Sequence, residues 1–236
     1  MALPKLQSQV YELEQPSTGD KIKYRPFLVK EQKTLMMASE SGDEKQIRDS
    51  LAGIISGCTY QKIDPFTVPM FDVEFLFLRI RGKSVGEKIE LNLLCPDDGE
   101  TRVKTKLNLE DIGVNMKAGH TNEISITDKI KIIMNYPTLN DMVGMSGKEN
   151  AGFNEVIDMM KRCVHEVHDG ETIHSKIDMS ESDLDEFIES LTTEQFQGLA
   201  DFFDTMPKVA HSIEVTNPKT KKKGEVVIEG IQSFFE

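Results

Sequence analysis

The most informative stretch of this sequence is IRGKSVGEKIELNLLCPDDGETRVKTKLNL, residues 80–109. It starts at the end of an apolar segment and continues as two alternating runs, residues 88–95 and 102–109, separated by a Cys-Pro-Asp-Asp-Gly turn. Alternation of apolar and polar residues is typical of a half-buried strand, and a turn between two such runs indicates a β-hairpin. The stretch therefore predicts a hairpin that follows directly on a buried segment.

The apolar segment before this hairpin fits two periods. Read as a strand, it would place Phe71, Val73 and Phe75 on one face. Read as a helix over residues 70–81, it would carry charges along two opposite edges, with two apolar faces between them. We predict the helix, because the segment is long for a strand and Pro69 suits the first turn of a helix. Such a helix would be packed on both sides.

One hairpin and two helices are predicted before this segment. The hairpin spans residues 10–24 around a Pro-Ser-Thr-Gly-Asp turn. The helices span residues 29–39 and 43–56. The second of them has a buried apolar stripe formed by Ile47, Leu51, Ile54 and Ile55.

Strands and three more helices are predicted after the central hairpin. A strand or strand pair covers residues 122–136, and an amphipathic helix covers residues 153–164. A second helix has Ser182 as its N-cap. The third opens with a capping box in which Thr192 is followed by Gln195.

These elements place the chain in the α+β class, because β hairpins are combined with helical runs and no regular βαβ alternation occurs. A length of 236 residues fits one large domain or two small ones. Residues 144–152 read as a flexible loop. We therefore predict an N-terminal α+β domain over residues 1–143 and a helical segment with a closing hairpin over residues 151–236, with one continuous domain as the alternative.

Two stretches, residues 89–112 and 211–234, share one plan: a strand, a residue followed by proline, a polar turn that reaches Gly-Glu, and a second strand. They predict two similar hairpins whose turns have the outline of a zinc knuckle. Such a knuckle needs two thiolates two to four residues apart, whereas the first turn has only Cys95 and the second has Asn217 in its place. We therefore predict no metal here, and a buried position for Cys95 at a strand end.

Two other groups of residues could carry chemistry. Cys163, His165, His168 and His174 lie close in sequence, and on a helix His165 and His168 would share a face and could reach a metal. Because no further ligand is clearly placed, a solvated helix end is the interpretation we favour. Residues 219–223 hold four lysines that could contact phosphates or an acidic partner, but they fall in a predicted turn and are interpreted as solvated.

Composition restricts the function classes. The formal net charge is −12, and an acidic surface opposes nucleic-acid binding because phosphate contacts need clustered lysine and arginine. Three separate cysteines, Cys58, Cys95 and Cys163, fit a reducing compartment better than a disulfide scaffold. We expect no signal peptide, and no run approaches the roughly 20 apolar residues that span a membrane. Neither nucleic acid nor membrane is therefore an expected partner.

The sequence also lacks a catalytic constellation. There is no Gly-x-Ser-x-Gly motif, and no cysteine has a convincing histidine and carboxylate setting. Arg-Gly-Lys-Ser at residues 81–84 lacks the glycine spacing of a phosphate-binding loop. We expect a protein that is not an enzyme and that takes no cofactor.

Several short motifs occur in an order that resembles one family. They are MALPKL at the start, YRPFLVKEQ at residues 24–32, FLRIR and KSVGE within residues 77–87, LCP at residues 94–96, YPTL at residues 136–139 and GIQSFF at residues 230–235. Together they resemble the baseplate hub assembly proteins of T-even-like contractile-tailed bacteriophages. The resemblance covers most of the chain and is strongest over residues 1–140.

The resemblance implies a late viral protein that acts in the host cytoplasm and helps to build the central hub of the base plate. Its partners would be phage base plate hub or tail proteins, bound without covalent chemistry in the manner of a chaperone. A structural hub subunit that stays in the virion base plate is the alternative, and self-association is left open. The resemblance implies no catalytic residues, and any metal that relatives with paired cysteines could hold is not carried over.

Two regions are hypothetical partner contacts: the connection after the predicted central helix, and the aromatic pair near the end of the sequence. The residues are Arg81, Lys83, Ser84, Val85, Glu87, Phe234 and Phe235. The aromatic pair would either dock on a partner as an anchor or pack on the last hairpin.

Overall fold

The structure is a computed structural model that describes residues 7–142 and 153–230. It confirms the α+β class, since helices are combined with small antiparallel sheets. The helices are α1 (Val29–Ser41), α2 (Glu44–Cys58), α3 (Met70–Val85), α4 (Phe153–Cys163), α5 (Glu181–Glu189) and α6 (Thr193–Thr205). The strands are β1 (Tyr11–Glu14), β2 (Lys21–Tyr24), β3 (Lys88–Leu94), β4 (Arg102–Asn108), β5 (Gly113–Asn115), β6 (Glu123–Ser125), β7 (Ile130–Met134), β8 (Val164–Asp169), β9 (Thr172–Ser175), β10 (Lys208–Thr216) and β11 (Lys223–Glu229).

The chain forms two compact units. Unit 1 consists of Met1–Asn115 together with Lys208–Glu236, and unit 2 is Met116–Pro207. The C-terminal strands belong to unit 1 because β10 pairs with β5 as well as with β11. The boundary predicted between residues 143 and 151 falls inside unit 2 and does not coincide with this division. Residues 143–152 themselves lie outside the described part of the chain.

Helix α3 is the core element of unit 1. Its side chains are buried around the whole circumference, which explains why the sequence also fitted a strand. Val73, Leu76 and Ile80 have no exposed surface. The helix prediction over residues 70–81 is confirmed, with Pro69 as the N-cap. The helix continues for one more turn and ends at Gly86, whose φ of 118° a residue with a side chain rarely adopts.

Within the described residues, unit 1 also contains three antiparallel sheets. The predicted hairpins are confirmed as β1–β2, β3–β4 and β10–β11, and β5 extends the last of them to three strands. The strands of β3 and β4 pair from Lys88↔Asn108 to Leu94↔Arg102 without a bulge.

The start of α1 is fixed by an ion pair. Arg25 Nη2 lies 2.8 Å from Glu31 Oε1, and both side chains are largely buried. Glu31 also accepts a hydrogen bond of 2.6 Å from the backbone N–H of Leu28, so it caps the first turn. The backbone N–H of Arg25 donates to the carbonyl of Cys58 at the end of α2 (3.0 Å). These contacts join the first hairpin, α1 and α2.

The stripe predicted on α2 is correct for three of its four residues. Leu51, Ile54 and Ile55 are buried, whereas Ile47 is exposed. The reason is that the first residues of α2, which follow the Asp43 N-cap, are themselves exposed, so this turn has no surface to pack on. Periodicity alone does not report where a packed surface ends.

Unit 2 combines one sheet with three helices. The sheet order is β6-β7-β8-β9, all antiparallel. The strand pair predicted over residues 122–136 is confirmed as β6 and β7. One core is shared by the sheet and the helices, and its fully buried members include Ile132, Met134, Met160, Val164 and Leu199.

The helix predicted over residues 153–164 is confirmed, but the interpretation of His165 and His168 as part of a solvated helix end is wrong. Helix α4 stops at Cys163, and the chain continues directly as β8 and then β9. Val164 and Val167 are buried in the core, and β8 pairs with β7 on one side and β9 on the other. Long-range strand pairing therefore overrides the helical pattern of the preceding residues.

Both remaining helix starts carry capping boxes. Thr192 and Gln195 form the predicted box at α6. At α5 the N-cap is Ser180, which pairs with Asp183, and the prediction of Ser182 is wrong. Ser180 is the correct residue because the acidic side chain three places later returns the hydrogen bond to its backbone N–H.

The packing of unit 2 includes a half-buried histidine. His120 Nδ1 lies 2.9 Å from the Thr205 hydroxyl and Nε2 lies 3.1 Å from the Tyr136 hydroxyl. The ring also packs on Phe202, with 5.3 Å between the ring centroids. Burial lowers the pKa of His120 below its ordinary value of 6.5.

Because the pKa of His120 is lowered in the folded protein, we predict that the free energy of unfolding decreases in mild acid. Below pH 6.5 the unfolded chain binds a proton at His120 more readily than the folded chain, so its contribution is present above that pH and decreases as the pH falls towards the folded pKa. Urea unfolding between pH 7.5 and pH 5 should show a shallower pH dependence for His120→Gln than for the wild type. His174→Gln, which removes an exposed imidazole, is the control. An unchanged slope for His120→Gln would contradict the assignment.

No helix in residues 7–142 and 153–230 combines the length and the apolar character needed to cross a bilayer.

Candidate functional site

The connection after α3, which the sequence singled out as a partner contact, makes many contacts inside unit 1. Lys83 Nζ bonds to the carboxylates of Glu87 and Glu110, the latter at 2.5 Å. These bonds, first that to Glu110, raise the pKa of Lys83 above its ordinary value. The carbonyl of Glu87 accepts from the Leu109 N–H (2.7 Å). Lys83 and Glu87 therefore hold the end of α3 to the end of the β3–β4 hairpin.

Ser84 links the same connection to the start of α1. Its hydroxyl accepts a 2.9 Å hydrogen bond from the Phe27 N–H and donates to the Ile80 carbonyl (2.6 Å). The two sequence motifs at residues 24–32 and 77–87 thus meet in space. Arg81 is half-buried, and burial lowers its pKa. Of the five predicted contact residues in this connection, Val85 is the one with a largely exposed side chain.

A cleft of about 400 Å³ lies beside Lys83. Its walls include Tyr11 and Tyr24, whose ring centroids are 5.6 Å apart, and Lys83 Nζ lies 5.3 Å from the centre of the Tyr11 ring. Arg79 in the same wall donates to the carbonyls of Leu109 and Ile112, both at 2.7 Å. Because both cations already have acceptors within the fold, the cleft is not a preformed anion site.

The aromatic pair Phe234 and Phe235 lies outside the described residues. Its assignment as a docking anchor or as part of the last hairpin therefore stays a prediction, as does the partner role of the α3–β3 connection.

The histidines proposed as a metal pair do not share a helix face. His165 and His168 lie on strand β8, where residues three apart point to opposite faces of the sheet. His168 Nε2 instead lies 2.8 Å from Glu166 Oε2. Across the described ranges, no group of three or more histidine, cysteine, aspartate or glutamate side chains is arranged to hold a metal ion.

The turns of the β3–β4 and β10–β11 hairpins share part of their internal geometry, although the first is one residue longer: the Cys95 N–H donates to the Thr101 carbonyl, and the Asn217 N–H to that of Lys222. In the first, the Gly99 N–H donates to the Cys95 carbonyl (3.0 Å); in the second, the Lys221 N–H donates to the Asn217 carbonyl (2.9 Å). Gly99 and Lys221 both have positive φ, 65° and 61°. Each turn also carries proline directly after its first residue. The similarity that the sequence predicted between the two hairpins therefore extends to their backbones.

The two turns are also in contact with each other. The Asn217 side chain donates from Nδ2 to Asp97 Oδ1 and to Asp98 Oδ2, each at 2.8 Å. Its Oδ1 accepts from the N–H groups of Lys219 (2.8 Å) and Thr220 (3.3 Å). Asn217 is buried, and all four of its hydrogen-bonding positions are occupied. The sequence predicted neither this role for Asn217 nor the contact, because the turns are about 120 residues apart.

Both aspartates are held as carboxylates. The Thr101 hydroxyl and backbone N–H groups lower the pKa of Asp98, and the hydroxyl of Thr220 and the amide of Asn217 lower the pKa of Asp97. Close packing completes the contact: a Cβ at Gly224 would lie 2.5 Å from Cγ of Pro96, so only glycine fits there. Cys95 is buried, as predicted, and burial raises its pKa.

A second feature that sequence analysis missed is the outer face of α1. Val29, Met36 and Met37 are 81%, 56% and 59% exposed, and Ala38 is the one fully buried residue of this helix. Helical spacing places Lys33 between Val29 and Met36 on the same face. The signal in the sequence was weak, because apolar residues are spread around the helix and give no clear stripe.

Comparison with known families matches one family model, described as T4 bacteriophage base plate protein, over residues 8–236. The match includes both hairpins with knuckle-like turns and the whole of unit 2. The comparisons with curated proteins and with solved structures found no match.

Proposed function

Because the chain belongs to the family of T4 bacteriophage base plate proteins, we propose that it is a non-catalytic assembly factor that helps to build the central hub by binding a hub subunit. A base plate protein works among other phage tail proteins, so its activity is expected to reside in protein surfaces. The proposal places this activity in the host cytoplasm during assembly.

The outer face of α1, formed by Val29, Lys33, Met36 and Met37, is the observation that carries the proposal. Three large apolar side chains on one short helix remain exposed although unit 1 has a well-formed core. Methionine is flexible and polarisable, and surfaces rich in methionine adapt to partner grooves. Contiguous exposed apolar side chains commonly mark interaction sites. We therefore assign the α1 face to the contact with a hub subunit.

The charge distribution favours binding to a specific partner over non-specific association. The chain has a formal net charge of −12, which keeps copies of an acidic protein apart in solution. Lys33 places a positive charge inside the apolar α1 face. The partner surface that fits is an apolar groove with a carboxylate at its rim.

The state of the thiols supports a non-catalytic role. All three cysteines are buried, and burial raises the pKa of Cys58 to about 11 and that of Cys163 to about 12. Nucleophilic cysteines need a low pKa and access to solvent, because the thiolate is the reactive form. These thiols are therefore expected to be inert at neutral pH.

The α1 face can be tested by charge insertion. Met36→Glu together with Met37→Glu should lower the amount of base plate hub protein recovered with the tagged chain from infected cells by at least about tenfold, because two buried carboxylates would oppose docking. Met116→Glu with Met142→Glu is the matched control, since those methionines are also exposed. Quantitative mass spectrometry of the recovered hub proteins is the measurement. Equal recovery of hub protein with both variants would show that α1 is not part of the interface.

Particle composition tests the role itself. Mass spectrometry of purified virions and of infected-cell lysate should find the protein abundant in the lysate and missing from mature particles. A fixed ratio to hub subunits in the particle would instead identify it as a structural subunit retained in the base plate, which is the alternative function.

A further inference from the structure

The paired turns of unit 1 reproduce the frame of a two-knuckle metal site. A zinc knuckle places its two ligands three residues apart in a tight turn that starts with a strand end. Cys95 and Asp98 have this spacing in the first turn, and Asn217 and Thr220 have it in the second. In a complete site, two such turns face each other across one tetrahedral ion.

Hydrogen bonds show that the two turns face each other, with positions 98 and 217 in direct contact. Asp98 Oδ2 and Asn217 Nδ2, one from each turn, are 2.8 Å apart. Thr220 reaches across to Asp97. The backbones also agree over their first five residues, since in each turn the N–H of the fifth residue donates to the carbonyl of the first.

In a zinc knuckle, backbone N–H groups of the turn donate to the ligand atom. Here the corresponding N–H groups donate to side-chain oxygens. Asn217 Oδ1 accepts from the N–H groups two and three residues later. Asp98 Oδ1 accepts from the N–H groups of Glu100 and Thr101, at 3.1 Å and 3.0 Å, which again lie two and three residues later. Donors aimed at these points stabilise an acceptor at positions 98 and 217, whether it is oxygen or sulfur.

The native donor set does not fit zinc. Cys95 is the one thiol among the four. The two hydrogens on Nδ2 of Asn217 lie between the turns, and one is donated to each of the two carboxylates. An amide N–H is not a metal ligand, so an ion at this place would have to displace Asn217.

We infer that residues 95, 98, 217 and 220 are the ligand positions of a paired zinc knuckle in which the amide of Asn217 and two aspartate carboxylates do the cross-linking that a metal ion would do. Three of the four positions lack the thiolate of a zinc knuckle. The inference concerns the chemistry of this junction and does not depend on the proposed function.

Supplying the thiolates tests the inference. The variant Asp98→Cys, Asn217→Cys, Thr220→Cys retains Cys95 and should bind one equivalent of Co²⁺ with the visible absorption of a tetrahedral cobalt thiolate, which Zn²⁺ then displaces. Asp97→Cys, Asn217→Cys, Lys219→Cys has the same number of thiols at shifted positions and should bind at least about tenfold more weakly. Absence of the tetrahedral signal, equal binding by the shifted variant, or failure of the first variant to fold even with zinc would overturn the inference.

The native junction gives a second readout that needs no metal. Asn217→Ala should lower Tm by about 5 °C or more, since it removes four hydrogen bonds from a buried position. Asn92→Ala, on the exposed face of β3, is the control. Chelators should leave the Tm of the wild-type protein unchanged. A chelator-dependent Tm, or an Asn217→Ala variant as stable as the control, would mean that the amide does not serve as the cross-link.

Discussion

Replacing Asp72 with alanine is expected to lower the free energy of unfolding by about 3 kcal/mol, because a buried acceptor with three donors is removed. Asp72 lies in the first turn of α3 with no exposed surface. It accepts from the Gln15 amide (2.7 Å), the Ser17 N–H (3.0 Å) and the Ser17 hydroxyl. Alanine would remove the acceptor of the buried Gln15 amide and would release Ser17, which lies at the surface, from the first turn of α3.

Urea unfolding followed by circular dichroism measures this effect. Asp72→Asn should fall between the wild type and alanine, since one amide oxygen replaces only part of the carboxylate. Glu40→Ala, an exposed acidic residue of α1, should change the free energy of unfolding by less than about 0.5 kcal/mol. A cost below about 1 kcal/mol for Asp72→Ala would show that the turn is not held by this carboxylate.

Leu199→Ala in unit 2 is expected to cost about 3–4 kcal/mol. Leu199 on α6 is fully buried in the core that also contains Ile132, Met160 and Phe202. Removing its side chain loses the transfer free energy of the buried carbons and leaves a cavity that the sheet and helices cannot close completely. Asp204→Ala, an exposed position on the same helix, is the control.

Hydrogen exchange is the informative measurement for this variant, because it reports opening residue by residue. Amides of β7, β8 and α6 should exchange on the order of 100-fold faster in Leu199→Ala, the factor that corresponds to about 3 kcal/mol. If the hydrogen-exchange protection of these elements were unchanged, Leu199 would not be part of the core that stabilises them.

The family resemblance and the local elements could be predicted well from the sequence. The hairpins, the capping box at Thr192 and the helical state of residues 70–81 follow from short-range patterns and turn chemistry, which act within a few residues. The family match over residues 8–236 agrees with the order of motifs in the sequence. Base plate membership is therefore readable from the chain alone, whereas the choice between assembly factor and retained subunit depends on partners.

The candidate sites were less predictable. Lys83 and Ser84 were proposed as partner contacts, but the structure places both in hydrogen bonds within unit 1. The exposed face formed by Val29, Met36 and Met37 does not follow from the sequence, because exposure of an apolar residue depends on which neighbours cover it. A charged residue in a motif can serve the fold or a partner equally well, and sequence does not distinguish the two uses.

The sequence alone specifies the features that depend on interactions between neighbouring residues. These are the periods of the strands and helices, the helix caps and the two similar turns. Three features depend on contacts between distant residues. Val164–Asp169 becomes a strand because β7 offers it a pairing edge, and the β10–β11 hairpin belongs to unit 1 because β10 pairs with β5. Asn217 becomes a cross-link because the other turn supplies two carboxylates. Each is decided by hydrogen bonds whose partners are separated by many residues, and no local pattern records such a partner.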